Sequence, residues 1–245
     1  MIMEYTQSEW KGYRRLDFVF EGRNACLVLP DEPCSGGHWM MKTAYFGAFP
    51  AFEKEMLARG WHLAWIANLT RWHHEEDDAV KDRFCAFLQE EFGLSDRCLP
   101  VGMSCGGMLA VHFAARYPQR VIGLYLDAPV MNLLSCPAAI GKAELDNELW
   151  GEFQEKTGMD LSSLICFRDH PMDHIDTLLK NKIPVFLVAG DSDTVVPYEE
   201  NGKLLYDRYV RCGGCITQVV KPGCWHHPHG LDDLTPLIAF AEKYA

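Results

Sequence analysis

From residue 61 onward, short apolar runs alternate with longer helical stretches, and this alternation restricts the chain more than any other feature. The apolar runs "WHLAWIAN", "CLPVG", "VIGLYLDAP", "IPVFLVAGD" and "CITQVV" read as strands. Between them, residues 79–92 place Val80, Phe84, Phe87, Leu88 and Phe92 on one helical face, and "CGGMLAVHFAARYP" is a helix stopped by Pro118. Residues 47–59 and the closing "LDDLTPLIAFAEKYA" also read as helices. Strands in alternation with helices predict an α/β fold, a mostly parallel sheet with helices on both faces. The start differs. "RLDFVFEG" alternates apolar and polar residues, "GRN" turns, and "ACLVLP" returns, which predicts an antiparallel hairpin. "DEPCSGGHWMMK" then reads as a loop.

At 245 residues the chain has room for one large core. Residues 130–182 break the alternation and predict a small cap inserted between two strands, helical at 140–157. The expectation is therefore a single domain, 1–245, carrying that cap. The formal charge is 23 − 34 = −11. Such a surface repels phosphates and argues against nucleic acid as a partner. No apolar run reaches membrane-spanning length, and "MIMEYTQSEWKGYRR" lacks the apolar stretch of a secretion signal. The expectation is a cytoplasmic protein without a membrane partner, its ten cysteines reduced. "CGGC" at 212–215 has the spacing of a metal pair, but "RCGGC" also reads as a helix end with a glycine turn into a strand. No metal is expected.

The stretch that carries chemistry is "LPVGMSCGGML", residues 99–109. Gly-x-Ser-x-Gly alone is a weak signal. Its setting, after a strand and opening a helix, is that of a nucleophile elbow. Gly102 and Gly106 leave room for a sharp bend at Ser104, and the N–H of Cys105 at the helix start can face a developing oxyanion. A glycine-rich phosphate loop is the other use of such a bend, but no lysine or longer glycine run accompanies this one. A serine nucleophile needs a base and an acid. "AGDSDTVVPY" supplies Asp191 and Asp193 after one strand, and "KPGCWHHPHG" supplies His226, His227 and His229 after the next. Both lie at the carboxyl ends of predicted strands, where open parallel sheets bind ligands.

"GMSCGG", "GDSDTVVP" and "HHPHG", in that order, resemble the three site motifs of the α/β-hydrolase superfamily, and the likeness extends over nearly the whole chain. Within it the chain resembles serine esterases and the catalytic domains of prolyl-oligopeptidase-like hydrolases. More loosely, it is similar to a bacterial branch linked with carbohydrate breakdown. The resemblance implies Ser104 as nucleophile, Asp193 as acid and His226 as base, with no cofactor. Asp191 and Asp127 remain alternatives for the acid. Trp225 stands where the family often has glycine, so His227 remains an alternative base. The resemblance also implies a second oxyanion donor from the loop after the third strand. Without an "HGGG" stretch, "GGHWMMK" makes that donor Trp39 or Met40, beside Cys105. His38, Trp225 and His227 are candidate substrate contacts, and Trp39, Trp65, Trp72 and Trp150 are candidate pocket walls. The polar cap stretch "GKAELDNELWGEFQEK" and the bulky side chains of "CSGGHWMMK" predict a short, acetyl-like acyl group, so the expected reaction is hydrolysis of such an ester on a small molecule or oligosaccharide. The alternatives are a small peptidase of the same fold and a non-catalytic binding protein.

Overall fold

A computed structural model describes residues 4–245. Nine strands form a single sheet: β1 (Thr6–Trp10), β2 (Tyr13–Phe20), β3 (Arg23–Val28), β4 (Trp39–Lys42), β5 (His62–Ile66), β6 (Leu99–Met103), β7 (Leu124–Asp127), β8 (Val185–Gly190) and β9 (Ile216–Lys221). Their spatial order is β1-β2-β3-β5-β4-β6-β7-β8-β9. The first three strands and their junction with β5 are antiparallel, and every pair from β5 through β4 to β9 is parallel. With helices on both faces, this is the α/β-hydrolase fold.

The central strands are short continuous apolar runs because both of their faces are covered. Every residue of β4, β6, β7 and β8 is buried. On one face lie α2 (Glu75–Phe92), α3 (Cys105–Arg116), α6 (Ile175–Lys180) and α7 (Gly202–Arg211), which bury Val80, Phe84, Phe113, Leu178 and Tyr209 against Leu27, Met41, Leu126 and Leu187. On the other face α1 (Ala51–Ala58) and α8 (Thr235–Tyr244) bury Phe52, Met56, Leu237 and Phe240. Helix α2 shows how sequence sets local structure. His74 caps its start through Nδ1, and Glu75, Glu76, Asp77 and Asp78 crowd its first turn, where the helix dipole favours negative charge. Gly93 ends it with φ +68°.

Two strands fall outside the sequence expectation. β1 adds an edge strand before the hairpin. β4, "WMMK", occupies part of the stretch expected to be a loop. Four residues with no polar alternation leave no period-2 signal to detect.

Between β7 and β8 the chain folds as α4 (Asn147–Thr157), α5 (Leu161–Cys166), a 3-10 turn at Pro171–His174, and α6. Asp146 caps α4 on the N–H groups of Glu148 and Leu149, and Asp160 caps α5 on that of Ser163. The segment has its own small core, in which Phe153, Leu164, Leu133 and Cys136 pack on Trp72, Met108 and Val196 of the body. Its last helix, α6, lies in the main core and serves as the crossover into β8. The part that stands over the body is therefore shorter than 130–182. Among the described residues, no helix is long and apolar enough to cross a membrane.

Candidate active site

Ser104 lies between β6 and α3 with φ +53° and ψ −123°. This left-handed backbone is costly for a residue with a side chain and persists only where the surroundings hold it. Three hydrogen bonds do so. Its N–H donates to Asp127 O (3.0 Å), and its carbonyl accepts from Gly107 N (2.9 Å) and Val130 N (3.1 Å). Gly102 is required by proximity, since a Cβ there would meet Gly106 O at 2.5 Å. A Cβ on Gly107 would meet that of Pro129 at the same distance.

The Ser104 Oγ is 3.1 Å from His226 Nε2, and His226 Nδ1 is 2.7 Å from Asp193 Oδ2. Asp193 is buried, and its other oxygen accepts from Val195 N (2.9 Å) and Val196 N (2.8 Å). These bonds hold the carboxylate aimed at the imidazole. Asp191 takes a different position. Its Oδ1 accepts from Gly223 N (2.7 Å) and ties the loop after β8 to the loop after β9. Gly190 supports that junction, since a Cβ there would meet Cys224 O at 2.2 Å.

Asp127, at the end of β7, faces another histidine. Its Oδ1 is 2.9 Å from His229 Nδ1, and its Oδ2 accepts from Gly230 N (2.6 Å) and Tyr125 Oη (3.2 Å). Both Asp127 and His229 are buried. His227 stands beside both pairs, its ring centroid 4.9 Å from that of His226 and 5.0 Å from that of His229, and is stacked on Phe49 at 5.5 Å. Partial burial and the neighbouring His226 and His229 push its pKa below the usual histidine value.

These groups open onto a cleft of about 340 Å³ lined by Tyr45, Phe49, Arg71, Leu149, Val195 and the three histidines. Cys105, the first residue of α3, lines it beside Ser104. Burial raises the Cys105 thiol pKa. Arg71 reaches across to the inserted segment, where its guanidinium pairs with Glu152 at 2.7 Å. The loop that carries Tyr45 and Phe49 is anchored from below by a buried ion pair between Lys42 of β4 and Glu53 of α1.

Several sequence expectations need correction. Trp39 and Met40 are not beside the serine. They lie inside β4, paired with His62 and Leu63 of β5, and the Trp39 indole donates to Ser95 O at 2.9 Å. Reading "WMMK" as loop placed the strand's C-terminal end too early. The first residue after β4 that lines the cleft is Tyr45, with φ +53°. His38 precedes β4 at the amino ends of the parallel strands, away from Ser104, and packs on Trp61. Trp225 is 63% exposed and outside the cleft wall. None of Trp39, Trp65, Trp72 and Trp150 lines the cleft; Trp39 and Trp72 are buried in core clusters, and Trp150 stacks on Phe153. His227 does line it. Tyr45, Phe49 and Arg71, which line the cleft, were not singled out from the sequence; Asp127 and His229 were, as an alternative acid and a further histidine, but not as partners of each other. At "RCGGC", Cys212 ends α7, Gly213 turns with φ +70°, and Cys215 precedes β9 with its sulfur 2.8 Å from Tyr244 Oη.

Solved structures share this architecture. The chain superposes over 99% of its length on Porphyromonas gingivalis dipeptidyl peptidase 4 (TM-score 0.66, 13% identity). It superposes over 92% on Pyrococcus horikoshii acylaminoacyl peptidase (TM-score 0.64, 12% identity). It covers only 35% and 37% of those two chains. Mycobacterium tuberculosis MPT51 (FbpC1) matches over 100% of this chain and 98% of its own (TM-score 0.62, 17% identity). No known family profile matches the sequence. Likeness at this level of identity establishes the α/β-hydrolase fold.

Proposed function

We propose that the protein is a serine hydrolase that cleaves short-chain, acetyl-like carboxylic esters, with a sugar-like polar alcohol as leaving group. The observation that carries this reading is the unbroken chain from Ser104 Oγ through His226 to Asp193, at 3.1 and 2.7 Å, built on a strained serine backbone. Ser104 attacks the ester carbonyl as His226 Nε2 takes its proton. Asp193 holds the imidazole with its proton on Nδ1 and stabilises the imidazolium. The N–H groups of Cys105 and Tyr45 are the oxyanion donors in this reading. A helix-first N–H has no intrahelical acceptor, and one such donor is worth about 3 kcal/mol of transition-state stabilisation. His226 returns the proton to the leaving alcohol, and the acyl group stays on Ser104 until water, activated by the same imidazole, releases it. No step calls for a cofactor.

The substrate class rests on the cleft. Its volume, about 340 Å³, is near the lower end for small-molecule sites. Tyr45 and Phe49 add bulky rings to its wall. The inserted segment carries polar stretches such as "GKAELDNELWGEFQEK" rather than the continuous apolar surface that a long chain would need. Arg71 and the histidines supply donors for a hydroxylated alcohol. With the tryptophans away from the cleft, Tyr45, Phe49 and His227 are the surfaces left for ring stacking. The ten unpaired cysteines support a reducing, cytoplasmic setting.

The test has two stages. A fluorophosphonate probe labels Ser104 if the serine is activated; no labelling leaves a non-catalytic binding protein. Nitrophenyl acetate, butyrate, octanoate and laurate, then acetylated oligosaccharides, are compared by kcat/KM. A steady rise toward laurate overturns the short-acyl reading, and inertness toward every acetylated sugar removes the carbohydrate half. The peptidases among the structural neighbours favour one alternative, amide cleavage. Faster turnover of aminoacyl anilides than of acetate esters establishes it.

A further inference from the structure

The loop that brings His226 to Ser104 brings two further imidazoles. The ring centroids of His226, His227 and His229 form a near-equilateral triangle with sides of 4.9, 5.0 and 4.9 Å, and the rings are inclined to one another by 58° to 86°. One nitrogen from each lies within 4.8 Å of the other two. Metal–nitrogen bonds of about 2.0–2.1 Å put the ligand atoms of a tetrahedral site about 3.4 Å apart, so closure requires a contraction of up to about 1.4 Å.

The second shell points the same way. His226 and His229 each face a buried carboxylate through Nδ1, Asp193 at 2.7 Å and Asp127 at 2.9 Å. A carboxylate on Nδ1 keeps the proton there and leaves the Nε2 lone pair free. It also fixes the orientation of the ring, as behind zinc-ligating histidines. With neutral imidazoles, the two carboxylates give this corner a formal charge of −2, suited to a divalent cation. The cation lining the cleft, Arg71, is already paired with Glu152. His227, the exposed member, has no carboxylate partner and completes the triangle from the solvent side.

We propose that His226, His227 and His229 form an inhibitory binding site for a divalent transition metal of the zinc class. Bound there, the metal takes the Nε2 lone pair of His226, the atom that accepts the Ser104 proton. Ser104 then has no base. A fourth position faces the cleft and is left for water. Reversible switching by metal follows from one loop whose first histidine serves both purposes. The inhibitory character rests on the hydrolase reading above; the binding does not.

The probes are Co²⁺, read by its visible absorption bands, and Zn²⁺, read by inhibition of nitrophenyl acetate hydrolysis and slowing of fluorophosphonate labelling. The expected result is one metal per chain, with inhibition reversed by a chelator. Ser104→Ala keeps all three imidazoles and retains Co²⁺ binding. His227→Ala and His229→Ala each weaken binding by more than about 10-fold, and Asp127→Asn by about 10–100-fold. His227 is at the surface, so its variant tests the site even if changes at the buried positions disturb folding. Absence of a Co²⁺ spectrum overturns the inference. So does equal affinity in His227→Ala and wild type, or acceleration of hydrolysis by zinc. Co²⁺ binding by a protein inert to esters and to the fluorophosphonate sinks the hydrolase reading alone. An active enzyme indifferent to zinc sinks the metal site alone.

Discussion

The Asp127 and His229 side chains meet at 2.9 Å as a second buried carboxylate–imidazole pair, beside the Asp193–His226 pair at 2.7 Å. Only His226 of the two histidines has its other nitrogen within reach of Ser104. The two aspartates are therefore expected to separate on substitution. Asp193→Asn frees the imidazole to take the wrong tautomer and lowers kcat by about 10⁴-fold. Asp127→Asn leaves His226 oriented and costs far less. Equal losses in kcat on nitrophenyl acetate would mean that the acid has been misassigned.

Ser104→Ala is expected to lower kcat by at least about 10⁴-fold, because the triad acts as a unit. The fold should survive, since Ser104 is held through its backbone N–H and carbonyl. Turnover above a few per cent of wild type, in protein of unchanged melting temperature, removes Ser104 as nucleophile.

Gly102→Ala tests the elbow from the structural side. Its Cβ would meet Gly106 O at 2.5 Å and Gly107 Cα at 2.7 Å, both backbone atoms that cannot rotate away. Overpacking of this kind costs about 1–3 kcal/mol or more. The expected result is a lower urea midpoint together with weaker fluorophosphonate labelling. A variant as stable and as readily labelled as wild type would show that the bend has slack.

Stability should fall in mild acid because of His112, which is buried on α3 with neither ring nitrogen hydrogen-bonded. It faces His73, stacked at 3.6 Å, and His174, and Asp78, Asp169, Arg116 and Lys81 surround that group. Burial first, then the neighbouring His73 and His174, hold its pKa well below the usual value. In the unfolded chain the ring takes up a proton near pH 6.5. Below that pH the unfolded state binds one proton more than the native state, so stability drops as pH falls, by at most about 1.4 kcal/mol per pH unit for this group. The loss continues until the pH reaches the lowered native value. His112→Phe keeps the flat ring and removes the proton. Urea unfolding at pH 5.5, 6.0 and 7.0 should give a shallower pH slope for the variant, and parallel curves would exclude His112 as the source.

Much of this was legible in the sequence, for physical reasons that differ by element. The β2–β3 hairpin announced itself because one face is wet and the alternation is clean. β6 and α3 were visible because glycine, serine and glycine mark an abrupt change of direction between two apolar runs. β4 was hidden because a four-residue strand covered on both faces has no period, and that error put the expected oxyanion donors, Trp39 and Met40, inside a strand. Residue types alone also did not reveal that Asp127 and His229, 102 positions apart, would meet. Their contact depends on β7 and the loop after β9 ending on the same side of the sheet.

The inserted segment leaves the body after β7 and re-enters it at β8, two strands that are hydrogen-bonded neighbours. Asn201 stitches its exit, its side-chain oxygen accepting from the N–H groups of Met131 and Asn132 at 2.9 and 3.0 Å. The departure and return points are thus fixed by the sheet. Of the groups around Ser104, the segment supplies Cys136, Leu149 and the partner of Arg71, but none of the triad. An evolving lineage can therefore lengthen, shorten or exchange this stretch as a cassette. Under the hydrolase reading proposed above, its choice of substrate would change while Ser104, His226 and Asp193 stay in place.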